Sequence, residues 1–353
     1  MKRSFILVFT CLYILNVQSQ KVFFQSKQIF SEHELENFYS SITIEGDQLL
    51  FNANDYQLYS YNKKNGSLRW SYDMRRKSDV PPVIADGYVW ATTSYGSEYM
   101  YTNVTKLDPA TGTMIKKLSL ASMLTKPFIK NNILYGTGIY DGGCVFAFDL
   151  KKDTVIWSRF LAHGSSEEPY YFPGKIVANA EGDKWLELNY KGELLTRGCD
   201  DSTVTYPSEL TCAKTFNALT HDGKEIKNEM AEKLLSPDSY NKPSILRTDH
   251  LTFILQDARL TILGDKLKEK LSIGLLSVSD KVDYDYHYAS ILKADDKMIW
   301  MVFGGQYIVY NFKTKKTEQV TDLTEWQPHQ VLLEENKLWL ISGKDGLLYG
   351  ISL

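Results

Sequence analysis

The chain has 353 residues, with 40 Lys and Arg against 43 Asp and Glu, for a formal charge of -3. That balance argues against a nucleic-acid partner, which needs a cationic surface. A hydrophobic content of 43% and 23 tyrosines suit half-buried sheets and exclude a disordered chain.

Lys2 and Arg3 precede an apolar run from Phe5 to Leu15, followed by the small residues Val17 and Ser19, the order of a secretory leader. The expected layout is a signal peptide over residues 1–19 and one domain over residues 20–353. The run is too short to cross a hydrocarbon core of roughly 30 Å as a helix, which disfavours a retained membrane span. Cleavage removes two of the 40 basic residues and none of the 43 acidic ones, taking the formal charge from -3 to -5. The expected location is secreted or periplasmic. In such an oxidising compartment Cys199 and Cys212, separated by a polar stretch, are read as a disulfide whose closure is worth roughly 3 kcal/mol. Cys144 opens a strand with Phe146 and Phe148 on one face and is read as buried.

From residue 58 onward an extended run, a tight turn and a second extended run recur about every forty residues. LYSYNKKNGSLRW (58–70), VTKLDPATGTMIK (104–116) and VFAFDLKKDTVIW (145–157) each place Asn or Asp eight residues before the closing position. Upstream of each hairpin a proline precedes a short strand, a turn and an apolar strand, as proline tolerates the first position of a strand. Short strands repeating at this period predict an all-β propeller. Pro82, Pro127, Pro169, Pro207, Pro243 and Pro328, with Ala289 in the long gap and a strand near Ser41, mark eight first strands. Eight blades are therefore expected, with seven the alternative because the unit between Gly192 and Gly223 is short. The last unit lacks a fourth strand, and the run at 21–30 is expected to supply it and close the ring, removing two open edges. EIKNEMAEKLLSPD (225–238) carries Met230, Leu234 and Leu235 at helical spacing.

The hairpins resemble the PQQ-like (quinoprotein-like) β-propeller repeat, roughly Ala-x-Asp-x-x-Thr-Gly-x-x-x-Trp. Ser60, Asn62, Gly66 and Trp70 match it; Asp108, Thr111 and Gly112 match without the tryptophan; Ala147, Asp149 and Trp157 match without the glycine. The resemblance implies that the tryptophan packs on the neighbouring blade and the glycine permits a tight turn, so that the motif is structural. Family members include dehydrogenases that bind pyrroloquinoline quinone and calcium and non-catalytic outer-membrane assembly propellers. This chain has no adjacent cysteine pair and no length left for a catalytic insert. The resemblance is thus to the non-catalytic branch, with no cofactor.

Function is expected on the loops joining blades and those joining second to third strands. They hold Arg75, Arg76, Tyr99, Tyr101, Tyr140, Asp141, His163, His287, Trp326 and His329, an aromatic and polar set suited to a protein or polymer ligand. His163, His287 and His329 lack metal-ligand spacing. Glu167 with Glu168 could serve a glycan-active enzyme, and a cofactor-binding oxidoreductase is the other catalytic alternative. No Gly-x-Ser-x-Gly nucleophile motif occurs. Asn65 and Asn103 head glycosylation sequons. The expectation is a monomeric binding or scaffold protein with no nucleic-acid partner and no bound metal.

Overall fold

The structure is a computed structural model that describes residues 21–195 and 243–353, apart from residues 37–38, 77, 79, 94–103, 119, 121, 140–141, 167, 181–184, 249, 257–258, 265–268 and 275–287. The described residues form seven antiparallel sheets. After β1 (Lys21–Gln25) and a short helix α1 (Glu32–Glu36), sheet 1 comprises β2 (Ser41–Glu45), β3 (Gln48–Asn52), β4 (Gln57–Asn62) and β5 (Leu68–Asp73). Sheet 2 comprises β6 (Val83–Ala85), β7 (Tyr88–Thr92), β8 (Val104–Leu107) and β9 (Met114–Lys117). Sheet 3 holds β10 (Ser122–Met123), β11 (Phe128–Lys130), β12 (Ile133–Ile139), β13 (Gly143–Asp149) and β14 (Thr154–Phe160). Sheet 4 holds β15 (Tyr170–Phe172), β16 (Lys175–Asn179) and β17 (Trp185–Leu188). Sheet 5 comprises β18 (Ser244–Arg247), β19 (Thr252–Gln256), β20 (Arg259–Leu263) and β21 (Glu269–Gly274). Sheet 6 comprises β22 (Ser290–Ala294), β23 (Met298–Phe303), β24 (Gln306–Asn311) and β25 (Lys316–Asp322). In sheet 7, β26 (Pro328–Glu334), β27 (Lys337–Ser342) and β28 (Leu348–Ser352) are joined at the outer edge by β1.

The architecture is that of an all-β propeller, and the expected eight blades are corrected to seven sheets among the described residues. Seven of the eight expected first strands are observed, starting near Ser41, Pro82, Pro127, Pro169, Pro243, Ala289 and Pro328. The eighth rested on Pro207, which lies outside the described residues, as do the helix expected at 225–238 and the cysteines Cys199 and Cys212. The proline ruler counted Pro207 by spacing alone, where the hairpin signal was already weakest.

One sheet cannot bury both of its faces, and the core accordingly lies between sheets. Leu50, Leu58 and Trp70 of sheet 1 pack with Val89, Ala91 and Leu107 of sheet 2. Trp90 and Val104 of sheet 2 pack with Leu134, Cys144 and Phe146 of sheet 3, so Cys144 is buried as read. Ile42, Leu49 and Phe51 of sheet 1 meet Trp339, Ile341 and Leu348 of sheet 7. Each fully buried Leu, Ile or Phe in these seams contributes roughly 1.5–3 kcal/mol.

The inner strands hold one another by side chains that reach neighbouring backbone. Thr43 Oγ1 donates to Pro82 O at 2.8 Å, linking sheets 1 and 2. Ile291 N donates to Ser244 Oγ at 2.9 Å between sheets 5 and 6, and Val331 N donates to Tyr288 OH at 2.9 Å ahead of sheet 7. Gln330 spans sheets 7 and 1, accepting from Ile42 N at 2.8 Å and donating to Ile42 O at 3.3 Å.

A bulge recurs where each outer strand turns away from the third strand. It follows the pairs Ser60↔Trp70, Lys106↔Lys116, Ala147↔Trp157, Ile262↔Leu271 and Val309↔Gln319. In sheet 7 it falls between Val22 and Phe24, with Phe24 opposite Gly350. The register therefore gives Phe24 the station that Trp70 and Trp157 hold. A small residue, Ser60, Ala147 or Gly350, faces each of these three rings and leaves room for it.

Candidate functional site

Antiparallel order puts two kinds of turn at opposite ends of every sheet. Turns from first to second and from third to fourth strands share one end; second-to-third turns and connections to the next sheet share the other, the loop face. Buried polar side chains pin that face. Asn52 Nδ2 donates to Ser78 O at 2.6 Å, and Ser78 Oγ donates to Thr92 O. Asn54 Oδ1 accepts from Ser40 Oγ at 2.9 Å and from Tyr39 N at 3.2 Å, while the Thr125 and Thr137 hydroxyls lie 2.9 Å apart. Buried bonds of this kind hold loops in one arrangement, although Asn52 Oδ1, Asn54 Nδ2 and Thr92 Oγ1 have no hydrogen-bond partner among the described residues.

Among the sequence-predicted residues, Arg75 is exposed, with φ of 59°, and its N donates to Asp73 Oδ1 at 2.8 Å. Arg76 beside it is half-buried. His163 is exposed on a single 3-10 turn, Ala162–Ser166. Leu161 N fixes that turn by donating to Gly143 O at 2.7 Å, and Gly143 lies so close to Ala162 O that a side chain would not fit. Trp326 turns inward: it is 7% exposed, with its ring 6.0 Å from that of Tyr349. Its 3-10 turn, Thr324–Trp326, rolls the indole into the seam between sheets 6 and 7, so it offers a ligand little surface. His329 is the bulged residue at the start of β26 and is exposed. Desolvation there holds its imidazole below the usual histidine range. Tyr99, Tyr101, Tyr140, Asp141, His287 and the sequon residue Asn103 lie outside the described residues. Asn65 is exposed in the turn at the opposite end, where its Oδ1 accepts from Ser67 N at 3.0 Å. Among the described residues no group of three His, Cys, Asp or Glu could hold a metal ion.

The structure adds residues that sequence reasoning passed over. Tyr56 is 39% exposed, has φ of 62° and stacks on Tyr39 with ring centroids 6.1 Å apart. Met74 N donates to Tyr56 O at 2.8 Å, bringing Arg75 to the same corner. A left-handed non-glycine residue costs of order 1–2 kcal/mol, so Tyr56 and Arg75 are two exposed residues with strained backbone, linked through the Met74 to Tyr56 backbone bond. Next to Tyr56 in the chain, Asp55 Oδ2 accepts from Tyr59 OH at 2.6 Å, and in sheet 7 Tyr349 OH donates likewise to Asp345 Oδ2 at 2.7 Å. Burial raises the Asp55 carboxyl above the usual range, and desolvation followed by the carboxylate bond raises the Tyr59 phenol. The recurring Asp-x-x-x-Tyr spacing was visible in the sequence and is the signal that would have found this corner. A separate cavity of about 290 Å3 lies against the inner strands of sheets 6, 7 and 1, with Ile44, Leu292, Val331 and Leu333 in its wall and Glu334 at its edge.

Residues 25–157 match a family model described as outer membrane protein assembly factor BamB. The solved structure of BamB from Moraxella catarrhalis is 12% identical and aligns over 89% of this chain and 82% of that one, at a TM-score of 0.45. A computationally designed protein, Ika8, is 13% identical and aligns over 90% of this chain and 97% of that one, at a TM-score of 0.60. At such identity the likeness to Ika8 is one of fold. No curated protein matches the chain. Among the described residues no helix is long and apolar enough to cross a membrane. The resemblance to the PQQ-like propeller repeat thus holds over residues 25–157, the stretch with the matching hairpins.

Proposed function

We propose that this chain is a non-catalytic binding scaffold: an exported propeller, its ring closed by β1, that holds a protein or polymer ligand on its loop face. Residues 1–19 act as the leader, and the mature domain works in the periplasm or outside the cell without a cofactor. The observation that carries the reading is the corner formed by Tyr56 and Arg75. Two exposed, recognition-competent side chains stand there in left-handed conformations on a face pinned by buried polar bonds. Strain retained at an exposed site supports a binding role, because packing alone would favour glycine there. The BamB-type family match over the first three sheets supports the same class of role.

Thermal unfolding with added calcium and pyrroloquinoline quinone separates this reading from an oxidoreductase. No change in Tm is expected with either additive. A saturable rise in Tm with both would overturn the non-catalytic assignment.

A further inference from the structure

We propose that the corner formed by Tyr56 and Arg75 is a subsite for a neutral glycan, one sugar ring of which stacks on Tyr56 while its hydroxyls pair with Asp73 and Arg75. The proposal rests on the loop-face reading and narrows its protein or polymer ligand to a hydroxyl-rich polymer. The backbone brings the three residues together: Gln57 is the register partner of Asp73, and Met74 N donates to Tyr56 O at 2.8 Å.

Tyr56 offers a fixed aromatic face. Tyr39 stacks behind it with ring centroids 6.1 Å apart and planes 12° from parallel, and Tyr39 itself is buried. The Tyr39 hydroxyl donates to Asn54 O at 2.6 Å and accepts from Tyr56 N at 3.3 Å, which ties the Tyr56 backbone to the buried ring. Tyr56 nonetheless stays 39% exposed. A ring held in this way loses little freedom on binding, and the C–H face of a sugar packs on such a surface.

Asp73 and Arg75 supply opposite senses of hydrogen bond. Both are exposed, and Arg75 N donates to Asp73 Oδ1 at 2.8 Å, which fixes the carboxylate and leaves Oδ2 to accept. Neither Asp73 Oδ2 nor the Arg75 guanidinium bonds another side chain among the described residues. The guanidinium can only donate and the carboxylate can only accept. A polyanion meets repulsion from Asp73 and a basic segment meets it from Arg75, whereas sugar hydroxyls donate to one and accept from the other. A protein partner needs about 800 Å2 per side with an apolar centre. One sugar ring needs a single aromatic face and a few polar groups, which is the scale of this corner.

Affinity electrophoresis of the mature chain through gels cast with dextran, mannan, galactan or arabinoxylan, and with the anionic polymer alginate, tests the subsite. The expected result is retardation by at least one neutral polysaccharide, kept by Tyr56→Phe and by Lys151→Glu at the opposite end, and about tenfold weaker in Tyr56→Gly and in Arg75→Gly. Urea denaturation checks that each variant is folded. No retardation by any neutral polysaccharide, retardation by alginate alone, or retardation that either glycine variant keeps in full would overturn the glycan subsite. In that event the loop-face reading stands where the glycine variants lose a co-purified protein partner, and falls with the subsite where they lose none.

Discussion

The indole of Trp70 in sheet 1 lies over Gly112 in sheet 2, so close that a Cβ on that glycine would stand 2.6 Å from the ring. Trp70 Nε1 also donates to Pro109 O at 2.8 Å. Trp157 repeats the arrangement on Gly192, and Phe24 does so on Gly66. Gly112 has φ of 69°, which compounds the steric demand. Gly112→Ala is therefore expected to cost about 2–4 kcal/mol, from the left-handed backbone and overpacking together. Trp70→Ala is expected to cost about 3–5 kcal/mol. Urea denaturation of the two variants checks both values.

Where the tryptophan is missing, the turn it would cover has changed as well. Lys116 holds the Trp70 station in sheet 2, and its Nζ lies 3.1 Å from Asp153 of sheet 3, which has φ of 58° at the position glycine takes in the other turns. This ion pair is partly exposed and is worth about 0–1 kcal/mol. The double variant Lys116→Trp with Asp153→Gly is expected to be at least as stable as the parent, and Lys116→Trp alone less stable. A double-mutant cycle should return a favourable coupling of about 0.5–3 kcal/mol. Zero coupling would show that the two stations are independent.

Asp55 gives a pH signature. Its folded carboxyl titrates above the unfolded value of about 3.9, because burial outweighs the bonds from Tyr59 and Gln57. The stability tied to its protonated form is full below the unfolded pKa and is lost as pH rises through the raised folded value. Asp55→Asn is expected to gain stability relative to the parent between pH 4 and pH 7. Chemical denaturation at both pH values measures the change; a relative loss over that interval would contradict the burial argument.

Arg75→Gly separates binding from folding. Glycine adopts φ near 59° without strain, so the variant should unfold at the same urea concentration as the parent or a higher one while lacking the guanidinium. A large loss of stability would mean that Arg75 is structural.

The hairpins were legible in the sequence because tryptophan, turn and spacing are local signals, and the first strands were legible through the residues that precede them. The end of the repeat was not. Pro207 fitted a ruler of proline positions, but sequence spacing carries no information about whether a strand pairs there. Trp326 was correctly placed in a connection between sheets, yet the direction of its ring depends on a 3-10 turn that packs it against Tyr349. The Tyr56 and Arg75 corner was half legible: Arg75 stood out by charge, whereas Tyr56 meets it only through the Met74 to Tyr56 backbone bond.

The central claim is that recognition lies on the loop face, and quantitative co-purification from the native extracellular or periplasmic fraction tests it most directly. Three mature chains are compared: the parent, a loop-face variant with Tyr56→Gly and Arg75→Gly, and an opposite-face variant with the exposed lysines Lys64→Glu and Lys151→Glu. The account predicts that partners held by the parent are lost from the loop-face variant and kept by the opposite-face variant. Retention by the loop-face variant with loss from the opposite-face variant would contradict it.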